Sequence, residues 1–202
     1  IGIQNISIDL IFSLPNQTLQ DVKNDLAVLA SLPITHVSYY SLILEDNTIL
    51  YHHYKKGLFT PTDDDLEALM YNEIRTYLSN IGYTHYEVSN FHKGYPSMHN
   101  MIYWTNHYYD AIGAGSHGFY IDRYYHTKNI TLYIKEQTKK VIPQTPYMNY
   151  QDYLIFGLRL IEGVDLRVVK ERYNRNPLND FPKIRSLIRD GLLTLSETHL
   201  KV

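Results

Sequence analysis

Asn5-Ile6-Ser7-Ile8-Asp9-Leu10-Ile11-Phe12, followed by Ser13-Leu14-Pro15-Asn16-Gln17-Thr18, is the stretch that decides the fold. The first eight residues read as a buried strand, and Pro15 and Asn16 end it. Thr18 is placed to cap a helix over residues 18–31, in which Leu19, Val22, Leu26 and Leu29 recur at spacings of three and four. Pro33 stops that helix, and residues 36–44 form a second strand rich in Val, Tyr and Ile. A turn-rich stretch follows through Asp46-Asn47 and Lys55-Lys56-Gly57. The next helix is predicted to be capped by Thr62 and closed by Gly82, with Asp63, Asp64 and Asp65 at its positive end. Leu66, Leu69, Met70, Ile74, Tyr77, Leu78 and Ile81 make its apolar stripe, with Glu73 the polar exception, and residues 84–89 are a third strand. This β-α-β-α-β order implies a parallel sheet covered by helices, with ligands at the C-terminal ends of the strands.

Beyond this core the pattern changes twice. Residues 92–147 are rich in Gly, His and Tyr, have no clean period and are expected to be irregular, yet are too aromatic for disorder. From residue 148 the chain turns helical again, over 149–162, Leu166 to Tyr173 and Phe181 to Asp190, and Gly191 precedes a strand at 192–195. Helix, helix and a helix leading into a hairpin predict a small winged-helix-like unit. The fold class expected is therefore α/β, α+β overall, in three parts: β/α units over 1–91, a Tyr/His/Gly-rich connection over 92–147 and a helical C-terminal domain over 148–202.

Composition narrows the function. The chain has 202 residues, is 44% hydrophobic and 20% charged, and carries a formal charge of −2, so no global field steers it onto nucleic acid or anionic membrane. No apolar run approaches the ~18 residues of a membrane helix. There is no cysteine, which excludes disulfides, thiolate nucleophiles and any cysteine-held cluster within the chain, and fits a cytoplasmic protein. Residues 165–202 hold eight basic and five acidic side chains, which reads as a solvated face before it reads as a nucleic-acid surface. Tyrosine is common, 20 residues in all, either packed at half-buried positions or forming an aromatic wall for a flat ligand.

Three places carry chemistry. Asp9 lies in an apolar strand, where an unpaired carboxylate costs several kcal/mol; a buried hydrogen bond or a ligand contact would satisfy it. His99-Asn100-Met101-Ile102-Tyr103-Trp104 holds the only tryptophan. There His99 is either a structural histidine or an imidazole ligand, Asn100 could orient its ring, and Tyr103 and Trp104 could stack on a planar group. Gly113-Ala114-Gly115-Ser116-His117-Gly118-Phe119 permits a tight turn or close backbone approach, but its spacing matches neither a Walker loop nor a dinucleotide fingerprint, and His117 is a second candidate ligand.

Together these segments resemble one family. Residues 9–18, Asp9-Leu10-Ile11-Phe12-Ser13-Leu14-Pro15-Asn16-Gln17-Thr18, resemble the "DLIYGLPGQT" segment of the radical-SAM, oxygen-independent coproporphyrinogen III oxidase-like family, with Ser13 in place of glycine. Tyr86-Glu87-Val88-Ser89-Asn90-Phe91 is similar to its "YEISN" segment, and Gly113 to Phe119 to its "GPGAHGY" loop. Gly157-Leu158-Arg159 with Gly163-Val164 is similar to its C-terminal "GLR…GV". His99 to Trp104 matches the "HNxxYW" motif of the family's heme-chaperone branch; the family's arginine before that histidine is Met98 here, which removes one bidentate partner for a heme propionate.

The resemblance implies the last β/α units of a partial TIM-type barrel followed by the helical domain. It implies S-adenosylmethionine in the barrel near Asp9, and heme held with His99 as the leading participant, possible iron ligand included. The residues grouped with these are Asn100, Tyr103, Trp104, Gly113, Gly115, His117 and Phe119. It implies a [4Fe–4S] cluster on cysteines upstream of Ile1, so that this chain by itself lacks radical chemistry. Expected partners are heme and client hemoproteins at the membrane, with no nucleic acid; strand edges left open by a half barrel predict self-association or marginal stability. The rival functions are coproporphyrinogen III oxidation, which the "HNxxYW" motif disfavours, and a winged-helix nucleic-acid module, which the charge disfavours.

Overall fold

The computed structural model describes residues 2–136 and 138–202. It forms two compact units, one ending at Ser97 and the other running from Met98 to Val202.

In the first unit, β1 (Ser7–Phe12) leads into α1 (Leu19–Ala30), β2 (His36–Ser41), α2 (Ile49–Lys55), α3 (Asp64–Asn80), β3 (Thr84–Glu87) and β4 (Asn90–His92). Thr18 caps α1 as a capping box: its hydroxyl accepts from the Asp21 amide, and the Asp21 carboxylate accepts from the Thr18 amide at 2.8 Å. That bonding by Thr18, side chain first and backbone second, holds the Asp21 carboxyl below its ordinary range. Helix α3 is capped by Asp63, whose carboxylate accepts from the Leu66 amide at 2.9 Å, one residue beyond the expected Thr62. Met70, Ile74 and Leu78 form its buried stripe, whereas Leu69 points to solvent. Helix α2 buries no residue, which is why its sequence has no stripe to reveal it.

The sheet order is β1-β2-β4-β3. β1 and β2 are parallel, as expected, but the third strand does not extend the parallel sheet. β3 turns back through Val88 and Ser89 into β4, and it is β4, antiparallel, that pairs with β2. The cause is local. Glu87 is fully buried and its Oε1 accepts both the Ser89 amide at 3.1 Å and the Asn90 side-chain amide, so the carboxylate closes the hairpin in place of Gly or Pro. Phe12, Val37, Tyr39 and Phe91 pack with Val22, Leu26, Met70 and Ile74 on one face of this sheet.

The opposite face carries Ser7, Asp9 and Ile11 of β1, beside His36, Ser38 and Tyr40 of β2. Asp9 is exposed and Ile11 is 47% exposed, so β1 is not buried on both sides as its apolar run suggests. Alternation was hidden because Ile11 occupies the same face as Asp9.

The second unit begins with α4 (Met98–Trp104), followed by β5 (His117–Tyr120), β6 (Asp122–His126), α5 (Ile130–Glu136) and β7 (Lys139–Ile142). β5, β6 and β7 form an antiparallel sheet in that order, so the stretch expected to be irregular contains a meander. Tyrosines at successive positions of β6, one buried and one half-buried, mask its period-two signal. The remainder comprises α6 (Pro146–Gly157), β8 (Val164–Asp165), α7 (Leu166–Tyr173), α8 (Pro177–Asp180), α9 (Lys183–Arg189), β9 (Thr194–Leu195) and β10 (His199–Lys201). The small sheet runs β8-β10-β9. Tyr150, Tyr153, Leu154, Val164, Val169, Leu193 and Leu200 make its core. Asp165 caps α7, and the Arg167 side chain, followed by backbone amides, lowers its carboxyl to about 2. Among the described residues no helix is long and apolar enough to cross a membrane.

Candidate functional site

The first unit places Asp9 on the sheet face away from α1 and α3. Its neighbours there form a polar and aromatic set. Ser7 Oγ and His36 Nδ1 lie 2.9 Å apart, and His36 Nε2 lies 2.9 Å from the Tyr86 hydroxyl. The Tyr86 ring in turn tilts against His92 at 5.4 Å. Burial first, and His92 after it, hold the His36 imidazole below its ordinary value against the opposing pull of Asp9. Burial lowers His92 as well. Asn90 Oδ1 and His92 Nδ1 are buried and have no hydrogen-bond partner among the described residues, which leaves an acceptor and a ring nitrogen on β4 beside β2. Such orphaned atoms on the same face as an exposed carboxylate suit a polar ligand that both donates and accepts.

The second unit places the other candidates. His99 is exposed on the first turn of α4, and its ring meets the Tyr103 ring edge-on at 4.9 Å. Tyr103 meets Tyr109 at 4.5 Å, and Tyr109 meets Phe119 at 6.4 Å, so a chain of rings runs from His99 to Phe119. Tyr103 and Trp104 line a cavity of about 220 Å³ with Asn106, Tyr109, Arg123 and Phe156. Its base is rigid. Arg123 bonds Asp152 at 2.7 Å and Asn106 Oδ1 at 3.1 Å, and lies over the rings of Phe119 at 4.5 Å and Phe156 at 5.3 Å. The Arg159 guanidinium lies 4.4 Å above Trp104, whose buried Nε1–H has no acceptor among the described residues. Asn100 is half-buried on the same helix.

The glycine loop leads into β5. Gly113 has φ +104° and donates its amide to the Tyr133 hydroxyl at 3.0 Å; Gly115 has φ +75° and donates to the Thr127 carbonyl at 2.8 Å. Both therefore shape the turn into β5. Gly118 is required by a neighbour: a Cβ there would lie 2.3 Å from Tyr124 Cζ. His117 is exposed and stacks on Tyr125 at 5.4 Å, and Phe119 is buried beneath Arg123. No group of three or more His, Cys, Asp or Glu at metal-holding distances occurs among the described residues.

Sequence reading missed Asn106, Tyr109, Arg123 and Phe156. They come from separate segments, and the signal available was that Arg123 is the one basic residue between Lys93 and Lys128 in the tyrosine-rich stretch.

Comparison with known proteins agrees with this layout. The HemN C-terminal domain family matches residues 150–202. The chain is 40% identical over 169 residues to the heme chaperone HemW of Lactococcus lactis subsp. lactis (strain IL1403), covering 81% of this chain and 45% of that protein. It is 34% identical over 207 residues to the heme chaperone HemW of Bacillus subtilis (strain 168), covering 98% and 55%. It thus spans about half the length of these curated relatives. In structure it resembles the radical SAM enzyme coproporphyrinogen III oxidase (HemN) from Escherichia coli with a TM-score of 0.73, at 15% identity, covering 97% of this chain and 50% of that one. Motif order, sequence relatives and fold agree that the chain belongs to the HemN-like radical SAM family, on its HemW branch.

Proposed function

We propose that the chain binds heme against α4 and takes part in delivering it to client hemoproteins; its relatives carry the name heme chaperone. The observation that carries the reading is the exposed His99 imidazole, set edge-on to Tyr103 one turn before the chain's single tryptophan. An imidazole nitrogen on a solvent-facing helix turn suits ferric or ferrous heme iron, and the adjoining rings suit the flat macrocycle. Gly113, Gly115, His117 and Phe119 are proposed as further contacts of the macrocycle.

A hemin titration followed by absorbance tests this. The expected result is a saturable, shifted Soret band, with affinity falling about tenfold or more in His99→Ala. Equal binding by both chains, or no saturable band in either, overturns it.

The sheet face with Asp9, Asn90 Oδ1 and His92 Nδ1 is the proposed S-adenosylmethionine position: the carboxylate suits hydroxyl and ammonium donors, and the orphaned atoms suit a purine edge. S-adenosylmethionine supplies a sulfonium whose reductive cleavage needs an external electron. A [4Fe–4S] cluster requires thiolates, and this chain has no cysteine, so its residues do not fit that group. The first unit is proposed as β/α units of a TIM-type barrel. The order α6-β8-α7-α8-α9-β9-β10, with β8 beside β10, is proposed as a winged-helix-like domain. A cytoplasmic setting, with clients at the membrane, completes the reading.

Among the described residues β1 and β3 pair on one side only, which leaves backbone donors and acceptors of the first unit unpaired in the sheet. The chain is expected to self-associate, eluting ahead of a monomer on size exclusion; a monomer that melts cooperatively would contradict this.

A further inference from the structure

A second cavity, of about 550 Å³, opens where α4 ends. It is lined by Thr105, His107, Tyr108, Tyr153, Val168 and Arg172. From this geometry we infer that it is a carboxylate-binding site for a flat aromatic acid, with Arg172 as the recognition group. The inference rests on the heme reading, for which it supplies the place where a propionate is held.

The argument begins with the guanidinium. Arg172 Nη1 donates to the Thr105 carbonyl at 3.2 Å and Nη2 to the Asn106 carbonyl at 2.8 Å. A guanidinium has five N–H donors in a fixed fork, so this anchoring fixes the plane while leaving further donors for an incoming group. Its ring contacts are Tyr173 at 5.3 Å and Tyr153 at 6.0 Å. None of the lining residues is acidic, so the cation is not neutralised from within the cavity.

Asn106 is the pivot of the anchor. It is buried with φ +51°, donates its side-chain amide to the Asn149 carbonyl at 3.1 Å, and accepts from Arg123 on its Oδ1. The residue whose carbonyl holds Arg172 is therefore itself held by two side-chain hydrogen bonds, and the fork is preorganised.

The walls define the rest of the ligand. Tyr108 is 52% exposed, presents its ring at the mouth, and is backed by Phe119 edge-on at 5.1 Å. Tyr153 forms a buried wall, and its phenol is pushed up to about 12, first by burial and then by Asp165, so it stays neutral beside an anion. His107 is exposed, and its Nδ1 lies 2.8 Å from Thr105 Oγ1, which fixes the ring's orientation. Two aromatic walls, an anchored fork and an oriented imidazole select a planar aromatic body with a carboxylate arm.

The test compares hemin with hemin dimethyl ester, which keeps the macrocycle and iron but has no carboxylates. The native chain is expected to bind hemin about tenfold more tightly than the ester, and Arg172→Gln to lose that preference while binding the ester as before. Arg172→Lys, with a charge but no fork, is expected to restore part of it. If Arg172→Gln binds hemin like the native chain, or weakens hemin and ester equally, the assignment is overturned.

If Arg172→Gln does not fold, Tyr108→Leu replaces it, since that exposed ring makes none of the anchoring bonds; weaker binding of hemin and ester together is then expected, and no change overturns the site. If the native chain binds no hemin at all, the heme reading falls, and a titration with 2-naphthoate decides the site by itself. Arg172-dependent naphthoate binding sustains it, and none overturns it.

Discussion

Gly163→Ala is expected to unfold the C-terminal core of the second unit, lowering its stability by about 3–5 kcal/mol. Gly163 has φ +79°, a backbone region in which a Cβ by itself costs ~1–2 kcal/mol. The space is also taken: a Cβ would lie 2.3 Å from the Leu200 carbonyl oxygen and 2.8 Å from Lys201 Cα. Those atoms are backbone of β10, which pairs with β8 directly after Gly163 through Leu200 and Val164. Nothing flexible can yield, so β10 must lift and draw buried Leu200 out of the core. Gly191 supplies the control, since it has φ +75° with no atom within 4 Å. Gly191→Ala should lose only the conformational part, roughly 1 kcal/mol. Thermal unfolding by near-ultraviolet circular dichroism reads the difference. Equal losses in the two variants would show that the clash with β10 contributes nothing.

Glu87→Ala should have the second-largest effect, about 3 kcal/mol, and in the other unit. Its carboxylate is fully buried and accepts from the Ser89 and Asn90 amides, so alanine strands two donors without water. The loss propagates, because the hairpin it closes sets β4 against β2, where the Ser89 carbonyl receives the Tyr39 amide at 2.8 Å. Glu87→Gln keeps a carbonyl oxygen in place and should retain at least half of the stability. Hydrogen exchange is the suitable reading: amides of β2 and β4 should lose protection in Glu87→Ala while those of α7 do not. Uniform loss across both units would argue against this local account.

The two glycine and glutamate effects show what a motif contains. Tyr86 to Asn90 and Gly157 to Val164 were legible as family segments before their physical basis was. Structure turns the first into a carboxylate-closed hairpin and the second into two close approaches: a Cβ on Gly157 would meet Val164 Cγ2 at 2.9 Å. The strand-loop-helix from Ser7 to Ala30 and the helix Leu166–Tyr173 could be read from pattern and caps because their signals are local. The β3–β4 hairpin could not, since its two-residue turn has neither Gly nor Pro and depends on a buried side chain. Asp9 was legible as a candidate position but not as an exposed one, because exposure depends on what covers the far face of a sheet. Around α4, the contiguous motif residues were visible, whereas Arg123, Asn106 and Phe156 converge only through folding.

Trp104 has an optical consequence. It is the only indole among 202 residues, and it lines the cavity beside Tyr103 beneath the Arg159 guanidinium. Emission excited at the red edge of its absorption, where the 20 tyrosines contribute little, therefore originates from one place in the molecule. Porphyrin absorption overlaps indole emission, so a bound macrocycle near α4 would quench it by energy transfer. The protein thus carries a label-free reporter at the position where its cargo is proposed to sit.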